Sequence, residues 1–273
     1  MPAADTFPDV AAERELIASA VREAGALALE TFCKPVKRWV KGKSSPVSEA
    51  DIAVDRLLRE RLLTARPNYG WLSEETEDDP ARLDVERIWI VDPIDGTRAY
   101  LDEREDWAVS VALAVRGRPV LAALLAPATD ELFLASAGGG ATHNGASIEA
   151  SAGASLAGAR ATGPKRFLNW LAEADAGVVA TPRIGSLALR LARVAQGELD
   201  VAFAGGESHD WDLAAADLLV HEAGGAVSSL AGRSLIYNRS RPVHGPLIAA
   251  GRDRHSMLIG LARGRLSELV PPQ

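Results

Sequence analysis

The chain has 273 residues, 47% of them hydrophobic and 25% charged, which are ordinary values for a globular protein with a substantial core. A net charge of −7 argues against a nucleic-acid surface or an anionic membrane as the main partner, although a bound metal can reverse the field locally. The single cysteine, Cys33, excludes an internal disulfide and a cysteine-based zinc cluster.

Residues 1–10 are polar and proline-bearing, unlike a signal peptide, and the chain is expected in the cytoplasm. Residues 11–32 have helical periodicity, with Leu16, Ile17, Ala20, Val21, Ala24, Leu27 and Ala28 on one stripe; Cys33 is expected to pack near its end. The basic stretch 34–45 reads as a mobile loop or loose hairpin. Ser48 and Asp51 form a capping box for a second helix reaching about Ala65, with Ile52, Leu57, Leu58 and Leu62 inward. Residues 69–73 read as a strand running into Glu74 and Glu75, followed by an exposed acidic connection over 76–86. Residues 88–91 are a buried strand, and 98–105 a short helix or loop. Strands 108–115 and 120–126 form a hairpin, and 132–135 continues the meander. The run 120–126 is the longest aliphatic one and is too short to cross a bilayer.

The Ala-, Gly- and Ser-rich stretch 150–163 is the candidate boundary between two halves, 1–150 and 151–273. Beyond it, strands at 178–180, 200–203 and 247–250 alternate with helices at 187–195, 212–223 and 256–269. Two helices beside an antiparallel sheet are expected in the first half and an α/β arrangement in the second.

The chemistry concentrates at Asp92-Pro93-Ile94-Asp95-Gly96-Thr97. A buried strand delivers two carboxylates, Pro93 stiffens the turn between them, Gly96 permits a sharp bend and Thr97 can cap a helix. Two acids held this close repel unless a cation lies between them, and a hard cation such as Mg²⁺ suits oxygen donors. The amides of Gly96 and Thr97 would add an anion site. Taken alone, the same residues could equally make an ordinary turn. Glu74 and Glu75 alone read as solvated surface, Asp212 and Asp51 as helix caps, and His209 beside Trp211 as a half-buried histidine.

Taken together, Glu74-Glu75, the 92–97 motif, Trp211-Asp212-Leu213-Ala214-Ala215 and Glu222-Ala223-Gly224-Gly225 resemble the inositol monophosphatase-like superfamily, in order and along nearly the whole chain. The resemblance implies a layered αβαβα sandwich and a Mg²⁺-dependent phosphomonoesterase acting on a small phosphorylated metabolite. It implies one ion on Glu74, Asp92 and the Ile94 carbonyl, a second on Asp92, Asp95 and Asp212, and a third leaning on Glu74. Gly96 and Thr97 would bind phosphate, Thr97 would also orient the attacking water with support from Asp51, and Gly185 and Ser186 would line the substrate side. Lithium sensitivity and a homodimer are implied as well. Two metals about 4 Å apart can stabilise both the entering and the leaving oxygen of an in-line displacement, so no serine or cysteine nucleophile is needed.

Substrate choice is less sharply written. Gly205 stands seven positions before Asp212, where inositol-selective members carry glutamate; Glu207 is nearby but shifted. Ser73 in Leu72-Ser73-Glu74-Glu75, the segment Ile184-Gly185-Ser186 and Arg98 look more like 3′(2′),5′-bisphosphate nucleotidases. The expected order is 3′-phosphoadenosine 5′-phosphate, then inositol 1-phosphate, then histidinol phosphate. A metal-binding regulatory homologue is the alternative from another class, and an RNA-associated homologue draws little support from the charge.

Overall fold

The computed structural model describes residues 10–41, 45–174 and 176–269. Helices α1 (Val10–Thr31) and α2 (Glu49–Ala65) flank a two-stranded hairpin, β1 (Arg38–Lys41) with β2 (Ser45–Ser48). A seven-stranded sheet follows, ordered β3 (Gly70–Ser73), β4 (Arg87–Asp95), β5 (Ala108–Val115), β6 (Arg118–Ala126), β7 (Glu131–Ser136), β8 (Gly140–His143) and β9 (Ala146–Ser147). Helix α3 (Thr97–Leu101) leaves the end of β4. The second sheet takes β10 (Arg160–Thr162), β11 (Val179–Ala180), β12 (Val201–Ala204), β14 (Gly225–Ser229) and β16 (Leu247–Gly251), in the order β11-β10-β12-β16-β14. Its helices are α4 (Lys165–Glu173), α5 (Leu187–Ala195), α6 (Asp210–Glu222) and α7 (Arg252–Ala262), and β13 (Ser208–His209) pairs with β15 (Val243–His244) beside it.

Strand alternation builds the layers. Trp89 and Val91 of β4 face α1 and α2, while Ile88 and Ile90 face α5 and α6 on the other side. In the second sheet Ala202, Ala204, Leu247 and Ala249 meet α5 and α6 from below, and Val201, Phe203, Ile248 and Ala250 pack against α4 and α7. The result is the expected αβαβα sandwich. Because α5 and α6 are covered on both faces, their inner positions are small. Ala188, Ala192, Ala195, Ala214, Ala215 and Ala216 are all buried, which lets both sheets approach the helix layer closely.

Several expectations need correction. The first sheet is not wholly antiparallel: β3 and β4 are parallel, because the connection over 74–86 returns the chain to the start of the sheet. That connection is not simply exposed either, since Arg82 is only 3% accessible within a short 3-10 turn, Pro80–Asp84. Ile52 points outward, and Val54 takes the inward place beside Leu58 and Leu62. Cys33 is exposed, in a left-handed turn (φ 59°) just past α1, so it does not pack in the helix interface. The last helix starts at Arg252, and the segment ends in a 3-10 turn and a short helix, Leu266–Leu269. The basic segment 34–45 needs no such correction, since its strand β1 pairs with β2 as a hairpin; residues 42–44 lie outside the described residues.

Candidate metal centre

Strand β4 ends inside the molecule, with Asp92 and Asp95 1% and 6% accessible. Asp92 accepts from the Ile94 amide at 3.1 Å, which folds the Pro93 turn back on itself. The register of β4 against β5 slips between the two aspartates, so both carboxylates turn to one side instead of alternating across the sheet. Gly96 then takes φ +94°, and a Cβ there would stand 3.0 Å from the Ser186 amide nitrogen; glycine is required on both counts.

The second half delivers Asp212. Helix α6 begins at Asp210, two residues earlier than expected, so Asp212 is its third residue, with its carboxylate accepting from the His209 amide at 2.6 Å. His209 stacks on Trp211, rings 4.5 Å apart and nearly parallel, consistent with a half-buried structural histidine. Carboxylate oxygens of Asp92, Asp95 and Asp212 all lie within 4.8 Å of one another.

This proximity is electrostatically costly. Burial, then the charges of Glu74, Asp95 and Asp212, push the Asp92 carboxyl well above its ordinary range. Asp212 is raised to about 7 by burial and then by Asp95. Asp95 is also raised by burial, but hydrogen bonds from Ser186 and the amides of Ala188 and Leu187, with the field of Arg190, hold it back. Three hard oxygen donors at this spacing, short of positive charge, fit a hard divalent cation. Glu74 lies close enough to act on Asp92, yet stands outside the close triplet; its amide donates to Val91 at 3.3 Å.

Thr97 heads α3, and its hydroxyl is 3.1 Å from both Asp51 and the Ile94 carbonyl. Asp51 is fixed by the capping box read from the sequence, accepting from the Ser48 amide at 2.8 Å and the Ser48 hydroxyl at 2.6 Å. Burial raises the Asp51 carboxyl above its ordinary value.

Ser186 departs from its expected place on the substrate side. It is fully buried; its hydroxyl donates to Asp95 at 2.6 Å and accepts from the Leu189 amide at 2.9 Å, capping α5. The Ala188 amide adds a second donor to Asp95 at 2.6 Å. Gly185 is clamped from behind because its backbone N–H donates to the Asp106 carboxylate, and a Cβ there would collide with Arg104 and Ala99. Sequence reasoning missed Arg190, which is 3% accessible and donates to the Ile184 and Phe203 carbonyls at 2.8 and 3.2 Å. An arginine amid an apolar helical stripe, four residues after a candidate site serine, was the available signal.

The chain is similar to known proteins along most of its length. The chain is 40% identical over 195 residues to an inositol-1-monophosphatase of Rhizobium meliloti, covering 68% of this chain and 73% of that one. It is 33% identical over 225 residues to the Nus factor SuhB of Escherichia coli K12, covering 78% and 83%. The crystal structure of the extragenic suppressor protein suhB from Bartonella henselae superposes with a TM-score of 0.81 at 29% identity, covering 93% of this chain and 99% of that one. The sequence profile of the inositol monophosphatase family matches residues 11–265, so the chain belongs to that family of metal-dependent phosphatases.

Proposed function

We propose that Asp92, Asp95 and Asp212 hold divalent cations, Mg²⁺ in the cell, with Glu74 and the Ile94 carbonyl completing a set of two or three ions. We propose further that the centre hydrolyses a small phosphate monoester, inositol 1-phosphate first. The convergence of three carboxylates within 4.8 Å at the head of α3 carries this reading. When bound, such ions neutralise charge on the phosphate oxygens and lower the pKa of the attacking water.

The rest falls to the chain's own groups. The Thr97 hydroxyl has one proton and two acceptors in reach, Asp51 and Ile94. A carboxylate is the stronger acceptor, so the proton goes to Asp51, leaving the Ile94 carbonyl available and the Thr97 lone pairs free to accept from the attacking water. The amides of Gly96 and Thr97 at the start of α3 take phosphate oxygens. Ser186 and Ala188 hold Asp95 in one rotamer and favour its ionised form against the burial that opposes it.

The order of substrates is revised on physical grounds. Ser73, one of the residues favouring a bisphosphate nucleotide, is 3% accessible and spends its hydroxyl on Asp55 at 2.5 Å. Ser186 spends its own on Asp95. Neither is left to read a substrate, and relatives at 40% and 38% identity are named inositol-1-monophosphatase. Measuring kcat/KM for inositol 1-phosphate, 3′-phosphoadenosine 5′-phosphate and histidinol phosphate with saturating Mg²⁺ tests this directly. A clear preference for the bisphosphate would restore the other order.

A further inference from the structure

Away from the carboxylate triplet, the loop over 229–247 encloses a cavity of about 630 Å³ whose charge opposes that of the chain as a whole. Its walls include Leu230, Leu235 and Pro246, and its charged residues are Arg233, Arg239 and Arg241; the described lining residues include no Asp or Glu. That is a local reversal in a protein with 37 acidic and 30 basic side chains. Among the described residues no acidic side chain pairs with Arg233 or Arg241, and Arg239 donates only to the Val243 carbonyl, at 3.1 Å. The stem of the site is firm: the Ser229 amide donates to the Arg233 carbonyl at 3.0 Å, and the Arg233 amide donates to the Ser229 hydroxyl at 3.1 Å. Three guanidinium groups around one concavity focus a positive potential, and their planar forks match phosphate oxygens in pairs.

The inner side of the same loop grips the start of α6. The Asn238 amide donates to Asp210 at 2.6 Å, and His244 Nε2 lies 2.7 Å from the other Asp210 oxygen, with both of those side chains almost wholly buried. Asn238 also accepts from buried Arg82 at 2.6 Å and returns a bond to the Arg82 carbonyl at 3.1 Å. Asp210 stands two residues before Asp212. A ligand drawing Arg239 and Arg241 together therefore pulls on the loop that positions a member of the carboxylate triplet.

We propose that this cavity binds a small, multiply charged phosphate-type anion, and that its occupancy is transmitted through Asn238 and His244 to the α6 start. The test uses the full chain stripped of metal by chelating resin, with inorganic pyrophosphate as the probe and backbone amide NMR as the readout. Working without metal separates this site from the phosphatase centre, where uncompensated carboxylates repel anions. The expected result is saturable movement of the amides over 232–244 and over 210–212 with one shared midpoint, on the order of 1 mM or tighter. In a triple variant, Arg233→Gln with Arg239→Gln and Arg241→Gln, the midpoint should rise at least tenfold while Tm stays unchanged, since all three side chains are exposed. Unchanged affinity in that variant, shifts confined to Gly96 and Thr97, or no saturation tenfold above that concentration would overturn the site. Shifts over 232–244 that leave 210–212 still would overturn the transmission.

Discussion

Ser186 donates its hydroxyl to Asp95 across 91 positions of sequence, at 2.6 Å, with both residues buried. One hydrogen bond thus joins the cap of α5 in the second half to the motif at the end of β4 in the first. Replacing Ser186 with alanine removes both the cap and one of Asp95's donors, while the Ala188 amide remains. A loss of about 2 kcal/mol in stability is expected. Asp95 should also become easier to protonate, so its apparent affinity for Mn²⁺ near pH 7 should fall several-fold. Thermal denaturation and a Mn²⁺ titration on the same preparation check the two effects separately.

Asp212→Asn separates function from stability. Asparagine can still accept from the His209 amide, so the helix start survives, but one of three mutually repelling charges is gone. In the metal-free protein the variant should be more stable, by a few degrees in Tm. Phosphatase activity should fall by more than about 100-fold. A variant less stable than the metal-free parent would contradict the electrostatic account.

The raised carboxyls also set a pH dependence. Asp212 titrates at about 7 when folded, against roughly 4 for a free carboxyl. Between those values the folded chain holds a proton that the unfolded chain has lost, so stability must fall as pH rises through about 7. Metal-free Tm should therefore decline from pH 5 to pH 8. Because cation binding needs the deprotonated form, the gain in Tm from saturating Mg²⁺ should grow over the same window. Differential scanning calorimetry with and without Mg²⁺ reads both trends.

Thr97 tests the hydroxyl relay. Thr97→Val keeps the β-branched shape and removes the hydroxyl proton donated to Asp51. A fall in kcat of about 100-fold or more is expected, with Mn²⁺ affinity little altered. Thr97→Ser should retain most activity; equal losses in both variants would point to packing instead of hydrogen bonding.

Much of this was legible in the sequence because local signals and tertiary roles coincide. Ser48 and Asp51 read as a capping box and form one, while Asp51 also reaches Thr97. Strand β4 reads as buried because it is apolar on both faces, which is how a strand between two helix layers must be built. Other features depended on partners remote in sequence. Ser186 as an α5 cap was readable, but its bond to Asp95 was not. Asp210 carries no helical periodicity and joins α6 because Asn238 and His244 hold it. Helix α4 carries a weaker signal, with Phe167, Trp170 and Leu171 after Pro164 repeating at helical spacing over only nine residues.

The central claim is that Asp92, Asp95 and Asp212 share divalent cations. Its most direct test is a crystal grown with Mn²⁺ and measured at the manganese absorption edge. The account expects an anomalous peak about 2.0–2.4 Å from carboxylate oxygens of all three residues, with Glu74 beside it. A peak elsewhere, with the three carboxylates bonded only to protein groups, would contradict it.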